Sequence, residues 1–223
     1  YNAQGETNKA EDYYLKAIEI REDLAKNNSA LFNPDLATSY NSAGNFYNAQ
    51  GETNKAEDYY LKAIEIREDL AKNNSALFNP DLATSYNSAG NFYNAQGETN
   101  KAEDYYLKAI KIREDLAKNN PARFNSDLAT SYNSAGIFYK NQGKPNKTED
   151  YYLKAIEIRE NLVKTNPKRF NHDLAISYNN AGNFYSEQGQ ANKAEDYYLK
   201  AIEISENLVK TNPKRFNHDL AIS

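Results

Sequence analysis

Two groups of side chains in this sequence have the types and spacing to do chemistry. One is the carboxylate pairs Glu57-Asp58 and Glu68-Asp69, and the other is the stretch Gly143-Lys144-Pro145-Asn146-Lys147-Thr148. Paired carboxylates divide acid and base roles when their environments push their pKa values apart. These pairs recur in most copies of a repeat, at helix ends and on polar faces, where dipole and solubility roles account for them. The second stretch has the lysine and threonine of a phosphate loop. It lacks the second glycine before them, and no strand precedes it. His172 and His218 are 46 residues apart, and two histidines on different units cannot hold a metal without further ligands. Cysteine is absent, and no Ser/His/Asp set is available to activate a nucleophile. The expectation is a chain that is not an enzyme and takes no cofactor or metal.

The elements around these residues belong to a polar, mildly acidic chain. It has 223 residues, with Lys+Arg 27 and Asp+Glu 31, for a formal net charge of −4. That balance does not favour nucleic acid or an anionic membrane as partner. No apolar run is long enough to span a bilayer, and no basic-then-apolar signal segment opens the chain, so a cytoplasmic protein is expected. Methionine is absent, which marks the sequence as a fragment or a processed piece.

A 46-residue repeat covers everything. Residues 1–46 are identical to 47–92, and 93–138 differ from that block at five positions. A boundary before Pro34 gives full units 34–79, 80–125, 126–171 and 172–217, after a partial unit 1–33 and before a stub 218–223. The whole chain 1–223 is therefore one array.

Each unit reads as two helices. Asn33-Pro34-Asp35 is a start signal, with Asn33 as N-cap and Pro34 in the first helical position. Leu36, Tyr40, Ala43, Gly44 and Tyr47 then form one apolar stripe. Gly51 stops this helix after about 17 residues. Asn54 caps the second helix, with Glu57 three residues on in a variant capping box. Two adjacent stripes follow: Tyr59, Ala63, Ile66 and Leu70, and Tyr60, Ile64 and Ala71. A helix apolar over so wide an arc is covered on two sides, by its own first helix and by that of the next unit. Asp58–Lys62 and Glu68–Lys72 have the spacing of helical ion pairs. The helix ends near Asn73, and in later copies Pro121, Pro167 and Pro213 end it. Phe32, Phe78, Phe124, Phe170 and Phe216 stand in the connections and are expected to plug the groove between units. A mid-helix glycine costs about 0.5–1 kcal/mol, so Gly44 and its equivalents imply a close helix crossing. A two-helix unit cannot bury both faces alone, so the units must stack.

From Ala37 to Ile64 the unit resembles the tetratricopeptide repeat, and the likeness recurs through the chain. Tyr40, Ala43-Gly44 and Tyr47 match that family's large, small and aromatic positions on the first helix. Ala56, Tyr60 and Ala63-Ile64 match the second. Tyr40 replaces the usual tryptophan or leucine, and Glu68 stands where short repeats have a helix-ending proline. The long unit, the I-R-E-D-L ending and the Asn-rich first helix look most like kinesin light chains and their bacterial relatives. The resemblance implies an all-α fold, a right-handed α-solenoid of antiparallel helix pairs, with a concave groove lined by the first helices and used to bind protein.

That implication selects the candidate site. Thr38, Ser42, Asn45 and Ala49 vary between copies and form one stripe off the core. Beside them stands Asn41, repeated as Asn87, Asn133 and Asn179. With Asn45, Asn91 and Asn183, and with Asn48 and Asn94, these make a ladder of amides suited to the backbone of an extended peptide. Ile137 and Lys140 make unit 126–171 the place where side-chain specificity would be read. Charge is uneven: unit 34–79 sums to −3 and unit 126–171 to +3, a difference read as a solvated face rather than an acidic-partner or RNA patch.

The favoured function is a protein-interaction module that holds a peptide or helix of an unidentified partner and forms part of a larger scaffold or regulatory protein. The other readings are a structural element that self-assembles end to end, and a sensor array controlling an effector domain elsewhere. Tyr1 and Ser223 fall inside first helices that are otherwise missing, so exposed ends are expected to stack.

Overall fold

The structure is a computed structural model. It describes the backbone of residues 2–211 and the side chains from residue 7 to 211. Tyr1, Pro213, Phe216, His218 and Ser223, with the expectations attached to them, lie outside the described residues. Within this range there are nine helices and no strand: α1 (Asn2–Asn27), α2 (Ser29–Ala49), α3 (Thr53–Asn73), α4 (Ser75–Ala95), α5 (Thr99–Asn119), α6 (Pro121–Asn141), α7 (Pro145–Thr165), α8 (Pro167–Glu187) and α9 (Ala191–Thr211). The chain divides into two compact units, Tyr1–Ile112 and Arg113–Ser223. In each, consecutive helices pack as antiparallel pairs and the pairs stack, as expected for an α-solenoid.

The first helix of each pair starts earlier than its sequence signal. α2 begins at Ser29, capped by Asn28, whose side chain accepts a hydrogen bond from the Leu31 N–H at 3.2 Å. Asn74, Asn120 and Asn166 cap α4, α6 and α8 in the same way. Pro34 therefore lies inside α2 and Asn33 caps nothing. The reason is Phe32. It stands four residues before Leu36 and extends the same apolar stripe by one turn. In the second unit Phe124 and Phe170 are buried, each 8% exposed. These rings are helix residues of the core, not plugs in a loop. Pro121 and Pro167 both end one connection and open the next helix, at the position where a missing N–H costs nothing.

The turn within a pair is set by backbone geometry. Gly51 has φ +75°, and the N–H of Glu52 reaches back to the carbonyl of Tyr47 at 2.9 Å. α3 starts at Thr53 with no side-chain cap, so the Asn54–Glu57 capping box does not form. Glu57 instead accepts from the hydroxyl of Tyr93 at 2.8 Å. Asp58–Lys62 pairs as expected at 2.8 Å. Glu68–Lys72 does not: Lys72 pairs with Asp69, and Glu68 takes the hydroxyl of Tyr86.

Packing follows the stripes. Tyr59 stacks flat on Tyr47 of its own pair, with centroids 5.5 Å apart. Tyr60 tilts against Phe92 of the next pair at 5.3 Å. In the second unit Tyr152, Ile156, Leu174, Tyr178, Phe184 and Tyr185 form one such core. The close crossing expected at glycine is present: a Cβ on Gly44 would stand 2.8 Å from Cδ1 of Tyr60.

The core also holds a polar ladder. Arg67, only 6% exposed, donates to the Ser85 hydroxyl at 2.5 Å, to the Asp81 carbonyl at 3.2 Å and to Thr38 at 3.1 Å. It thus joins three helices. Arg21–Ser39, Arg113–Ser131 and Arg159–Ser177 repeat the arrangement. Burial lowers the pKa of Arg67, Arg113 and Arg159 from the ordinary guanidinium value. In the last pair both ends of the Arg67–Thr38 contact change together: Ser205 replaces the arginine and Ile176 the threonine. Among the described residues no buried side-chain polar atom lacks a partner.

Candidate functional site

Within each unit the even-numbered helices meet, α2 with α4 and α6 with α8, so their outward residues share one face. This is the face on which the candidate residues stand. Their amides are more committed to the fold than the sequence implies. The side-chain oxygen of Asn45 accepts from the Tyr60 hydroxyl at 2.7 Å, as do Asn91 from Tyr106 and Asn183 from Tyr198. Asn41 accepts from Ser85 at 3.3 Å, and Asn133 from Asn180 at 2.9 Å. Asn87 is also engaged. Thr38 donates to the Pro34 carbonyl at 3.0 Å as well as accepting from Arg67. Asn48, Asn94 and Asn179 are half-buried on the same face.

The side-chain oxygens of Asn41, Asn45, Asn91, Asn133 and Asn183 are thus engaged inside the protein. Where an amide oxygen is occupied by a neighbouring donor, the amide still has N–H groups to offer.

The copy centred on α6 differs. Ile137, 38% exposed, stands where the others have asparagine above a tyrosine, and Tyr152 beneath it meets Phe184 edge-on. Lys140 pairs with Glu187 of α8 at 2.9 Å, so its charge is partly answered inside the protein. Burial pushes the Tyr60 hydroxyl up to about 12 and raises those of Tyr106 and Tyr152.

The other chemical candidates are engaged within the fold. Glu57 and Glu68 hold tyrosine hydroxyls of the next pair, as Glu11, Glu22, Glu114, Glu149 and Glu160 do in theirs. Thr148 is buried and donates to the Lys144 carbonyl at 3.0 Å, and Lys147 lies over the Tyr139 ring at 4.5 Å. The stretch 143–148 is thus a helix start rather than a phosphate cradle. His172 is a half-buried residue of α8. Among the described residues no group of three or more His, Cys, Asp or Glu is placed to hold a metal. None of the described helices is long and apolar enough to cross a membrane.

Sequence reasoning missed the arginine–serine ladder. Its signal was present: Arg67 falls between Ile64 and Leu70 on an otherwise apolar arc, where an unpaired cation has no place.

The family model described as tetratricopeptide repeat matches residues 1–69, 35–115 and 127–207. The chain belongs to the tetratricopeptide repeat family. The fold is similar to that of several solved structures. BtubC (BKLC) from P. vanneervenii superposes with a TM-score of 0.74 at 22% identity, over 91% of this chain and 74% of that one. A kinesin light chain with nearly identical TPR-like repeats, from Podosopora anserina, gives a TM-score of 0.52 at 19% identity, over 95% and 97% of the two chains. The MamA protein gives 0.55 at 20%, over 93% and 91%. At these identities the likeness is one of fold. No curated protein matches the chain. In tetratricopeptide terms, the even-numbered helices are the first helices of the repeats, and the candidate residues occupy their outward face.

Proposed function

We propose that this chain is a non-enzymatic protein-interaction module of the cytoplasm, part of a scaffold or regulatory protein. It holds a peptide or helix of a partner along the outward face of its even-numbered helices. The family's general role in protein interaction supports this reading. One observation carries it furthest. Position 45 of the repeat is Asn45, Asn91, Ile137 and Asn183, each set beside the same tyrosine, while every buried position of the helix stays constant. The copies thus change surface chemistry on that face without disturbing the packing beneath, which is where recognition can be tuned.

The test begins with a partner obtained by affinity capture and confirmed with purified components. Hydrogen exchange on the complex should show protection concentrated on α2, α4, α6 and α8. Protection confined to the odd-numbered helices would place binding elsewhere. A second reading, end-to-end self-assembly, draws on the exposed apolar face of α1, where Tyr13 is 73% and Ile20 60% exposed. Light scattering that rises with protein concentration, and falls on Ile20→Ser substitution, would support it.

A further inference from the structure

At one edge of the second unit, α7 ends and α6 and α8 begin. The repeats of the two units differ at both edges, and at this edge the charge differences share one sign. Leu31 and Leu77, 62% and 60% exposed in the first unit, become Arg123 and Arg169 in the second. Ala30 and Ala76 become Lys168 in α8. Asp23 and Asp69, which pair with Lys26 and Lys72 at 2.8 Å, become Asn161 in α7, so Lys164 donates to an amide oxygen at 2.9 Å instead. Every one of these changes adds positive charge or removes negative charge.

The charges are also left unanswered. Among the described residues Arg123, Lys164, Lys168 and Arg169 are exposed, and none has a carboxylate at ion-pair distance. The opposite edge differs: Lys140 has Glu187 there, and Lys147 has the Tyr139 ring. Arg123 and Arg169 lie over Phe124 and Phe170 at 4.9 and 5.0 Å. A guanidinium resting on a ring keeps its in-plane N–H groups for a planar acceptor, and a carboxylate fits that fork.

We propose that this edge of the second unit docks an acidic protein segment, a run of Asp and Glu in a partner, seated on Arg123, Lys164, Lys168 and Arg169. Protein carboxylates fit better than nucleic acid because Phe124 and Phe170 are buried and offer no platform for bases. Arg123 and Arg169 open α6 and α8 on the stripe that carries Ile137 and Asn183 fourteen residues further on, about 21 Å along the helix, so Ile137→Asn tests the proposed function and the arginine variant tests this proposal separately.

The experiment titrates the full chain into a fluorescent glutamate-rich peptide and a neutral Gly-Ser peptide of equal length, at low and near-physiological salt. Binding of the acidic peptide alone, weakened by salt, is expected. The variant Arg123→Leu/Arg169→Leu/Asn161→Asp restores the residues of the first unit, so it suits the fold. It should weaken binding about tenfold or more with an unchanged helical spectrum, whereas Lys111→Gln, at an exposed lysine of α5, should leave binding as it was. No binding of the acidic peptide, or equal binding by the triple variant, overturns the proposal. So does tighter binding of a single-stranded RNA of equal charge that the triple variant also loses, which would make the edge a nucleic-acid surface.

Discussion

The ring of Tyr106 lies so close over Gly90 that a Cβ there would stand 2.9 Å from Cδ1 and from Cε1 of the ring. The glycine is the seat of the tyrosine, and the same pair recurs as Gly44–Tyr60 and Gly182–Tyr198. Gly90→Ala should destabilise the first unit, because overpacking costs about 1–3 kcal/mol against a helix gain of at most about 1 kcal/mol. Combining it with Tyr106→Ala should reverse the sign, since the clash is gone and the propensity gain remains. Urea midpoints of the four proteins in this double-mutant cycle measure the coupling directly.

The arginine ladder should be the most sensitive polar feature of the core. Arg67→Ala removes donors to Ser85, Asp81 and Thr38, and should cost about 2–4 kcal/mol. Ser85→Ala leaves the guanidinium two other acceptors and should cost only about 1 kcal/mol. Equal losses in chemical denaturation would show that the serine, not the three-helix bridge, is what matters.

Alkaline stability should report the buried hydroxyls. Burial pushes the Tyr60 hydroxyl up to about 12, from about 10 for an exposed tyrosine. Burial, and in each case a glutamate partner, raises Tyr40, Tyr86, Tyr93, Tyr132, Tyr178 and Tyr185 further. A pKa raised by folding means that the folded state holds its proton more tightly. The stabilisation is therefore complete below pH 10 and is lost as pH rises through 10 towards 12 and beyond. Thermal midpoints across this range, followed with tyrosinate absorbance, should fall steeply. Tyr60→Phe should lower the midpoint at neutral pH, by removing the bond to Asn45, and flatten the fall.

On the candidate binding face, Asn87→Ala/Asn133→Ala should weaken an extended partner by about 1–3 kcal/mol, roughly 5- to 150-fold. Because Asn133 also holds Asn180, part of the loss will appear in stability. Ile137→Asn is the cleaner probe, since it copies the other repeats. It should weaken a partner that buries the isoleucine by about 1.5–3 kcal/mol and leave unfolding unchanged. Calorimetric titration beside a melting curve separates the two effects.

The sequence by itself determined the repeat, the two-helix unit, the apolar stripes, the turn at Gly51 and the close crossing at Gly44. All of these are local: periodicity and backbone freedom depend on residues a few positions apart. Tertiary structure decided what depends on a neighbouring copy. Asn28 and Asn33 both precede plausible helix starts. Asn28 caps the helix because one further turn carries Phe32 and its equivalents onto the core stripe, and in the second unit these rings are buried. Arg67 and Glu68 read as two more surface charges. One is instead a buried donor to Ser85 and the other the acceptor of Tyr86, each 18 residues away on the next pair. Asn45, Asn91 and Asn183 read as exposed amides, and the side-chain oxygen of each accepts from a tyrosine of its own pair. A polar side chain's partner is a matter of packing, and spacing along one helix does not encode it.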